Sequence, residues 1–246
     1  MNKTNQAIVP YAEKNRSKGL QVEHMFDRIA FRYDFLNRLM TLGIDKTWRR
    51  KAAICIKKHQ PNRLLDIATG TGDFAFQLAR LMPTSDVIGV DFSSKMIKQA
   101  SRKKSEISNS DNVDFAIADA ENLQFEVNTF DAVSCTFGVR NFENLERGLS
   151  NMYRVLKPGG IGVILELSEP KNLAIKLFHE LYFHRFVPVL GKIIAGEDKA
   201  YSYLQKSVRH FPDRKQFVGI LKKAGFKNVK AKSLSFGMCT MFCFYR

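Results

Sequence analysis

The stretch Arg63-Leu64-Leu65-Asp66-Ile67-Ala68-Thr69-Gly70-Thr71-Gly72-Asp73-Phe74, followed at helix length by Val87-Ile88-Gly89-Val90-Asp91, decides the fold. Leu64 to Ala68 is a short apolar run interrupted by one carboxylate, which reads as a buried strand. Gly70 and Gly72 then let the backbone turn tightly into a helix beginning near Asp73. A second apolar strand delivers Asp91 about twenty residues on, where an acid can accept both hydroxyls of a ribose. This order describes a nucleotide-like cofactor held at the carboxyl edge of a parallel sheet.

Two cofactors compete, because Gly70-x-Gly72-x-x-Ala75 also satisfies the relaxed dinucleotide fingerprint. Asp66 separates them: a carboxylate ending the first strand would face a pyrophosphate badly but suits a cationic amino-acid moiety, which favours S-adenosylmethionine. Val113 to Ala118 reads as another strand and ends in Asp119-Ala120, where an adenine edge would be read. A nicotinamide-dependent oxidoreductase is disfavoured by Asp66 and Asp119. The plain alternative makes all three acids helix caps or strand-end carboxylates.

The 246 residues suffice for one large α/β domain. No run reaches the length of a membrane span and the first nineteen residues lack an apolar segment, so the expectation is a cytoplasmic protein, neither secreted nor membrane-spanning. Cys55, Cys135, Cys239 and Cys243 show no paired spacing and no clustered His, so reduced, mostly buried thiols and no metal are expected. The net charge of +15 is uneven. Residues 1–60 carry 13 basic and 5 acidic side chains, residues 61–168 carry 11 and 14, and residues 169–246 carry 15 and 5. The basic surface therefore belongs to the flanks, facing anionic lipid, nucleic acid or water.

Residues 1–18 read as a flexible lead and 19–246 as a single domain. Within it, residues 19–60 form an amphipathic helix pair, the second member capped by Asp45. Strands at 63–68, 86–90, 113–118, 129–135 and 160–167 alternate with helices at 73–81, 94–104 and 143–156 across the 61–168 cofactor core. Lys157-Pro158-Gly159-Gly160 is the turn from the last of these helices into its strand. Residues 169–212 form a helical insertion whose 171–194 part is apolar and basic, and 213–246 give a helix and a hairpin around Gly237. The predicted architecture is a class I Rossmann-like methyltransferase fold, a doubly wound, mostly parallel seven-stranded sheet.

The strand ending at Cys135 opens onto Thr136-Phe137-Gly138-Val139-Arg140-Asn141, at the sheet edge that holds the cofactor acids. The loop lacks the Asn/Asp-Pro-Pro-aromatic segment of nucleic-acid amino-methyltransferases, so no nucleic acid is expected despite the charge, and an RNA-binding methyltransferase is the rival from another class. Cys135 reads as a core thiol and not as a nucleophile.

At this point the chain resembles the ubiquinone/menaquinone biosynthesis C-methyltransferases over nearly its whole length. The resemblance rests on Met25-Phe26-Asp27 with Tyr33-Asp34-x-x-Asn37, Trp48-Arg49, Asp66-x-Ala68-x-Gly70-Thr71-Gly72-Asp73, Asp119-Ala120 and Phe137-Gly138-Val139-Arg140-Asn141. Arg154-Val155-Leu156-Lys157-Pro158-Gly159-Gly160, Tyr201-x-Tyr203-Leu204 and Ser207-Val208-Arg209 with Phe211-Pro212-Asp213 complete it. It departs at Lys206 and in the hairpin from Phe236 to Phe244. The resemblance implies methyl transfer from S-adenosylmethionine to a ring carbon of a prenylated quinol, giving menaquinol from demethylmenaquinol or the equivalent step toward ubiquinol. It places the cofactor at Thr71, Asp91, Asp119, Ala120 and Thr136, alongside Asp66, Gly70 and Gly72.

A quinol carbon becomes nucleophilic when the neighbouring hydroxyl is ionised, so positive charge is wanted beside that oxygen. Arg140 is the first candidate, with Asn141 beside it; Tyr201, Tyr203 or an oriented water would take the proton, and His210 reads as structural. A polyprenyl acceptor gives the basic flanks a purpose: the insertion and N-terminal helices would cover the site and dock peripherally on the anionic inner face of a membrane. A homodimer is left open.

Overall fold

The computed structural model describes residues 8–11, 13, 15–108, 110–170 and 198–246, except for the side chains of Asp198 and Tyr201. Ser17 opens the N-terminal helices: its hydroxyl accepts from the Leu20 amide and caps α1 (Lys18–Ile29). Within the stretch expected to be a loose lead, the amides of Tyr11 and Glu13 donate to Gln21 Oε1, and Gln21 Nε2 donates to the carbonyls of Glu13 and Arg16. A buried glutamine thus holds that part of the chain against α1.

The first member of the expected helix pair is broken. A 3₁₀ turn (Ala30–Arg32) separates α1 from α2 (Tyr33–Thr41), and Leu42 in a left-handed conformation ends α2 before α3 (Asp45–Lys57). A three-residue 3₁₀ turn keeps the apolar spacing in phase, which is why the pattern reads as continuous. Asp45 is not the cap of α3. It is the first helical residue, accepting from Thr41 Oγ1 and pairing with Arg49 one turn on.

The alternating region forms β1 (Arg63–Ile67), α4 (Asp73–Leu81), β2 (Asp86–Asp91), α5 (Ser94–Glu106), β3 (Val113–Ile117), β4 (Phe130–Thr136), α6 (Leu145–Val155) and β5 (Leu156–Leu167). After the undescribed 171–197 segment, which contains the expected apolar-basic insertion, come α7 (Asp198–His210), α8 (Arg214–Lys223), β6 (Lys227–Leu234) and β7 (Cys239–Tyr245). Ser93, Asn144 and Asp213 cap α5, α6 and α8 through their side chains, Asp213 in a capping box with Gln216.

The seven strands form one sheet in the order β3-β2-β1-β4-β5-β7-β6, with β7 antiparallel to both neighbours. This is the expected doubly wound, mostly parallel sheet. The Lys157-Pro158-Gly159-Gly160 turn is corrected: Leu156 already pairs with Phe130, so these residues form an irregularity within β5 before Ile161 pairs with Ala132. Edge strand β6 carries Lys227, Lys230 and Lys232, charges that discourage pairing with another chain.

Alternating strand residues fill two cores. Leu64, Val87, Ala132 and Val163 pack under α3 and α4, whereas Leu65, Val90, Val133 and Ile164 pack under α6 and α8. Gly162 permits the β5–β7 pairing, since a Cβ there would lie 1.9 Å from the Phe244 ring. A third cluster joins Val22, Met25 and Ile29 of α1, Leu36 of α2, Met96 of α5 and Tyr203 of α7. It spans the carboxyl edge of the sheet and forms the roof of the site. Among the described residues no helix is long and apolar enough to cross a membrane.

Candidate active site

Strand order reverses between β1 and β4, and the crevice outside the carboxyl ends of such strands is where α/β sheets bind ligands. A cavity of about 310 Å³ occupies this place. Its floor comes from the ends of four adjacent strands: Ala68 and Gly70 after β1, Asp91 and Phe92 at β2, Ala118 to Glu121 after β3, and Thr136 to Gly138 at β4. Ser17, Gly19, Leu20, Glu23 and Phe26 of the α1 region, with Tyr33 of α2, close it from above.

The loop from β1 into α4 is built on positive φ at Ala68, Gly70 and Gly72 (53°, 58° and 83°). A Cβ on Gly72 would lie 2.6 Å from Phe115, so glycine is required there for packing as well as for conformation. Phe137 also has a positive φ, 62°, at the end of the adjacent strand. Strained non-glycine residues thus end two neighbouring strands at the cavity floor.

Of the residues expected at the cofactor, Gly70, Asp91, Asp119, Ala120 and Thr136 line the cavity. Asp91 is buried and accepts from the amides of Gly70 and Ser93 at 2.9 and 3.0 Å; burial nevertheless pushes its carboxyl up to about 6. Asp66, Thr71 and Gly72 do not line it. Asp66 lies wholly buried beneath the loop, accepting from Thr69 Oγ1 and Ser134 Oγ at 2.7 Å each, and burial raises it to about 6 as well. It fixes the glycine loop from below and has no surface in the cavity. Thr71 joins α2 to the core, donating to Asp34 and accepting from Lys103 Nζ.

The floor fits the donor's parts. Phe92, Met96 and Ala118 offer apolar walls for a purine, while Asp91 and Asp119 stand where hydroxyl and amino hydrogens need acceptors. Among the described residues no group of three or more His, Cys, Asp or Glu could hold a metal ion.

A narrower apolar cavity adjoins the first, sharing Phe26, Tyr33 and Asn141 as wall residues. Met25, Ile29, Leu36 and Met40 from α1 and α2 enclose it against Ala200, Tyr203 and Leu204 of α7, and Arg140 stands at its polar end. Arg140 and Asn141 are thus brought together with Tyr203, whose hydroxyl lies 3.2 Å from Asn141 Oδ1. Burial pushes the Tyr203 hydroxyl up to about 12 and raises Tyr33 too. Tyr201 lies on α7, but its side chain is outside the described residues. His210 faces away, its ring 2.9 Å from the Lys206 carbonyl.

Sequence reasoning missed Glu166, the buried acid ending β5. Its Oε1 lies 2.6 Å from Arg140 Nη1, and its Oε2 accepts from the Arg140 amide at 3.2 Å. It missed as well the tie between α1 and the loop after β4, where Lys18 Nζ donates to the carbonyls of Arg140 and Phe142, and the Gly19 amide donates to Glu143.

Sheet order, strand-end loops and cavity together define a class I Rossmann-like fold of the S-adenosylmethionine-dependent methyltransferase type. A methyltransferase of that dependence from Thermotoga maritima superposes with a TM-score of 0.59, at 18% identity, covering 90% of this chain and 98% of its own. A family model for the ubiE/COQ5 methyltransferase family matches residues 13–246, and the chain belongs to that family. Among its relatives, a demethylmenaquinone methyltransferase of Bacteroides fragilis is 41% identical over 242 residues, 98% of each chain. A ubiquinone/menaquinone biosynthesis C-methyltransferase, UbiE, of Geotalea daltonii is 40% identical over 230 residues, covering 93% of this chain and 97% of the relative.

Proposed function

We propose that this chain methylates a ring carbon of demethylmenaquinol, giving menaquinol, with S-adenosylmethionine as donor. The observation that carries the reading is the pair of adjoining cavities, one lined by strand-end acids and the other apolar with a buried arginine and asparagine at its polar end. Full-length likeness to a demethylmenaquinone methyltransferase supports it.

The bound donor supplies an electrophilic methyl on a sulfonium. Asp91, Asp119 and the Gly70 loop hold it. The Ala120 backbone and Thr136 line its adenosyl and methionyl ends, while Asp66, Thr71 and Gly72 keep the loop in shape. Arg140 stabilises the ionised hydroxyl of the acceptor, which raises electron density at the neighbouring carbon. Asn141 orients that ring from the shared wall. Tyr203, kept protonated by burial, donates to Asn141 and takes no proton itself. The hydroxyl proton leaves through a water held at Asn141; once the methyl has joined the carbon the ring proton leaves and the oxygen regains one, so that one proton is released per turnover. The apolar roof excludes bulk water from both chambers.

The acceptor carries a polyprenyl tail, and the helices enclosing its cavity carry exposed apolar side chains on their outer side. Phe31, Phe35 and Leu42 are 76%, 55% and 62% exposed, among the exposed cations Arg28, Arg32, Arg38 and Lys46. This face seats on an anionic bilayer, peripherally and without crossing it.

Incubation with methyl-labelled donor and either demethylmenaquinol or its ubiquinone-pathway counterpart tests the assignment. Label in menaquinol is expected; label only in the other product, or in neither, refutes the menaquinone reading.

A further inference from the structure

Among the described residues the Arg140 side chain is held through Nη1. Its Nη1 donates to Glu166 Oε1 and to the Phe137 carbonyl, and its backbone amide donates to Glu166 Oε2, so one carboxylate grips both ends of the residue. The Arg140 side chain is 7% exposed and that of Glu166 1%. Arg140 Nε is buried without a hydrogen-bond partner. A buried donor left open costs stability, and native structures rarely keep one without a reason. Arg49 Nε is also open, but that guanidinium lies over the Phe137 ring at 5.3 Å and does not line the acceptor cavity. Arg140 does line it.

We propose that Glu166 is a positioning residue that clamps Arg140 through Nη1 and the main chain, so that the guanidinium is held at the wall of the acceptor cavity beside the ionising oxygen. This rests on the methyltransferase reading above and extends it to a residue outside the loop from Thr136 to Asn141. The clamp has an electrostatic consequence. The Glu166 charge opposes ionisation of the acceptor while its geometry assists it, so the two contributions separate in variants. The other groups acting on this point are Lys18 of α1, Tyr33 of α2, Arg49 of α3, Cys135 of β4, Tyr203 of α7 and Cys239 of β7, and none of them changes in the test.

In Glu166→Gln the amide oxygen still accepts from Nη1, but the opposing charge is gone. The acidic limb of the kcat–pH profile should move down by about one pH unit, because removing a nearby negative charge favours the anionic acceptor. In Glu166→Ala the guanidinium is released, and kcat should fall about thirtyfold or more with KM for the acceptor changed less than threefold. Unchanged donor affinity by calorimetry establishes that each variant is folded. A second readout avoids turnover: ionisation of a bound hydroxynaphthalene, followed by its naphtholate absorbance, should shift downward in Glu166→Gln relative to wild type.

If wild type methylates demethylmenaquinol and binds the naphthol, yet neither variant moves a midpoint or kcat, the clamp is refuted. Equal losses in both variants at every pH, with midpoints unmoved, reduce Glu166 to a structural ion pair and also refute it. If wild type does neither, the reading of the site fails and the clamp fails with it.

Discussion

Asp34 Oδ2 and Lys103 Nζ lie 2.5 Å apart, an ion pair between α2 and α5 that also takes in Asp73 at 2.7 Å and the hydroxyl of Thr71. The N-terminal helices are thereby tied to the glycine loop that floors the donor cavity. In Asp34→Asn the charge is lost while the shape is kept. KM for the donor should rise about tenfold and thermal stability fall by about 1 kcal/mol, with kcat at saturation nearly unchanged. Steady-state kinetics at two donor concentrations and a melting curve check this.

Asp66 titrates at about 6 in the folded chain, above the usual carboxylate range. A raised folded value means the folded state holds its proton longer than the unfolded one. This group therefore favours folding at acidic pH, and the contribution is lost as pH rises through about 6. Asp66→Asn removes the ionisation cost. The ligand-free variant should be more stable than wild type by about 1 to 3 kcal/mol at pH 7, with the difference vanishing toward pH 4. Denaturant melts across that range decide it; a constant difference would show that ionisation is not its source.

Cys55 of α3 and Cys243 of β7 place their sulfurs 3.1 Å apart, and both side chains are only partly buried. Two of the four expected buried thiols are thus a facing pair, hidden in the sequence by a separation of 188 residues. The hydrogen bond with Cys243 lowers Cys55 to about 7. Cys55 should be alkylated at neutral pH faster than an ordinary cysteine, and diamide should oxidise the pair, with loss of two hydrogens, to a disulfide found by peptide mapping. Cys243→Ser should abolish the crosslink and slow the alkylation.

Replacing Phe31, Phe35 and Leu42 together by serine should reduce flotation with phosphatidylglycerol vesicles more than tenfold, while methylation of a short-chain quinol in detergent-free buffer stays within twofold. Binding by wild type that ignores lipid charge and salt would contradict the proposed face.

The parallel sheet was readable because each strand is a short apolar run that must be buried on both faces, and because Gly70, Gly72 and Asp91 stand in a spacing with few other uses. That Asp91, Asp119 and Arg140 stand beside the two cavities was readable for the same reason: topology sends every strand end to one edge. The role of Asp66 was not, since sequence shows that an acid ends a strand but not that Thr69 and Ser134 occupy its oxygens. Glu166 sits in an apolar run and carries no local signature; its meaning comes from Arg140, 26 residues away on a neighbouring element. Asp45 looked like a cap because the tight turn after Leu42 leaves no spare residue before the helix, and only the backbone shows that helical geometry has already begun.

The N-terminus of α1 roofs the donor cavity, and through Lys18 and Gly19 the same turn holds the loop carrying Arg140 and Asn141. Any change that a ligand in one chamber makes in this turn reaches the wall of the other, and such a coupling acts equally in both directions. One turn of chain is thus a wall of the first chamber and a brace for the loop that walls the second, so the two chambers have a structural member in common.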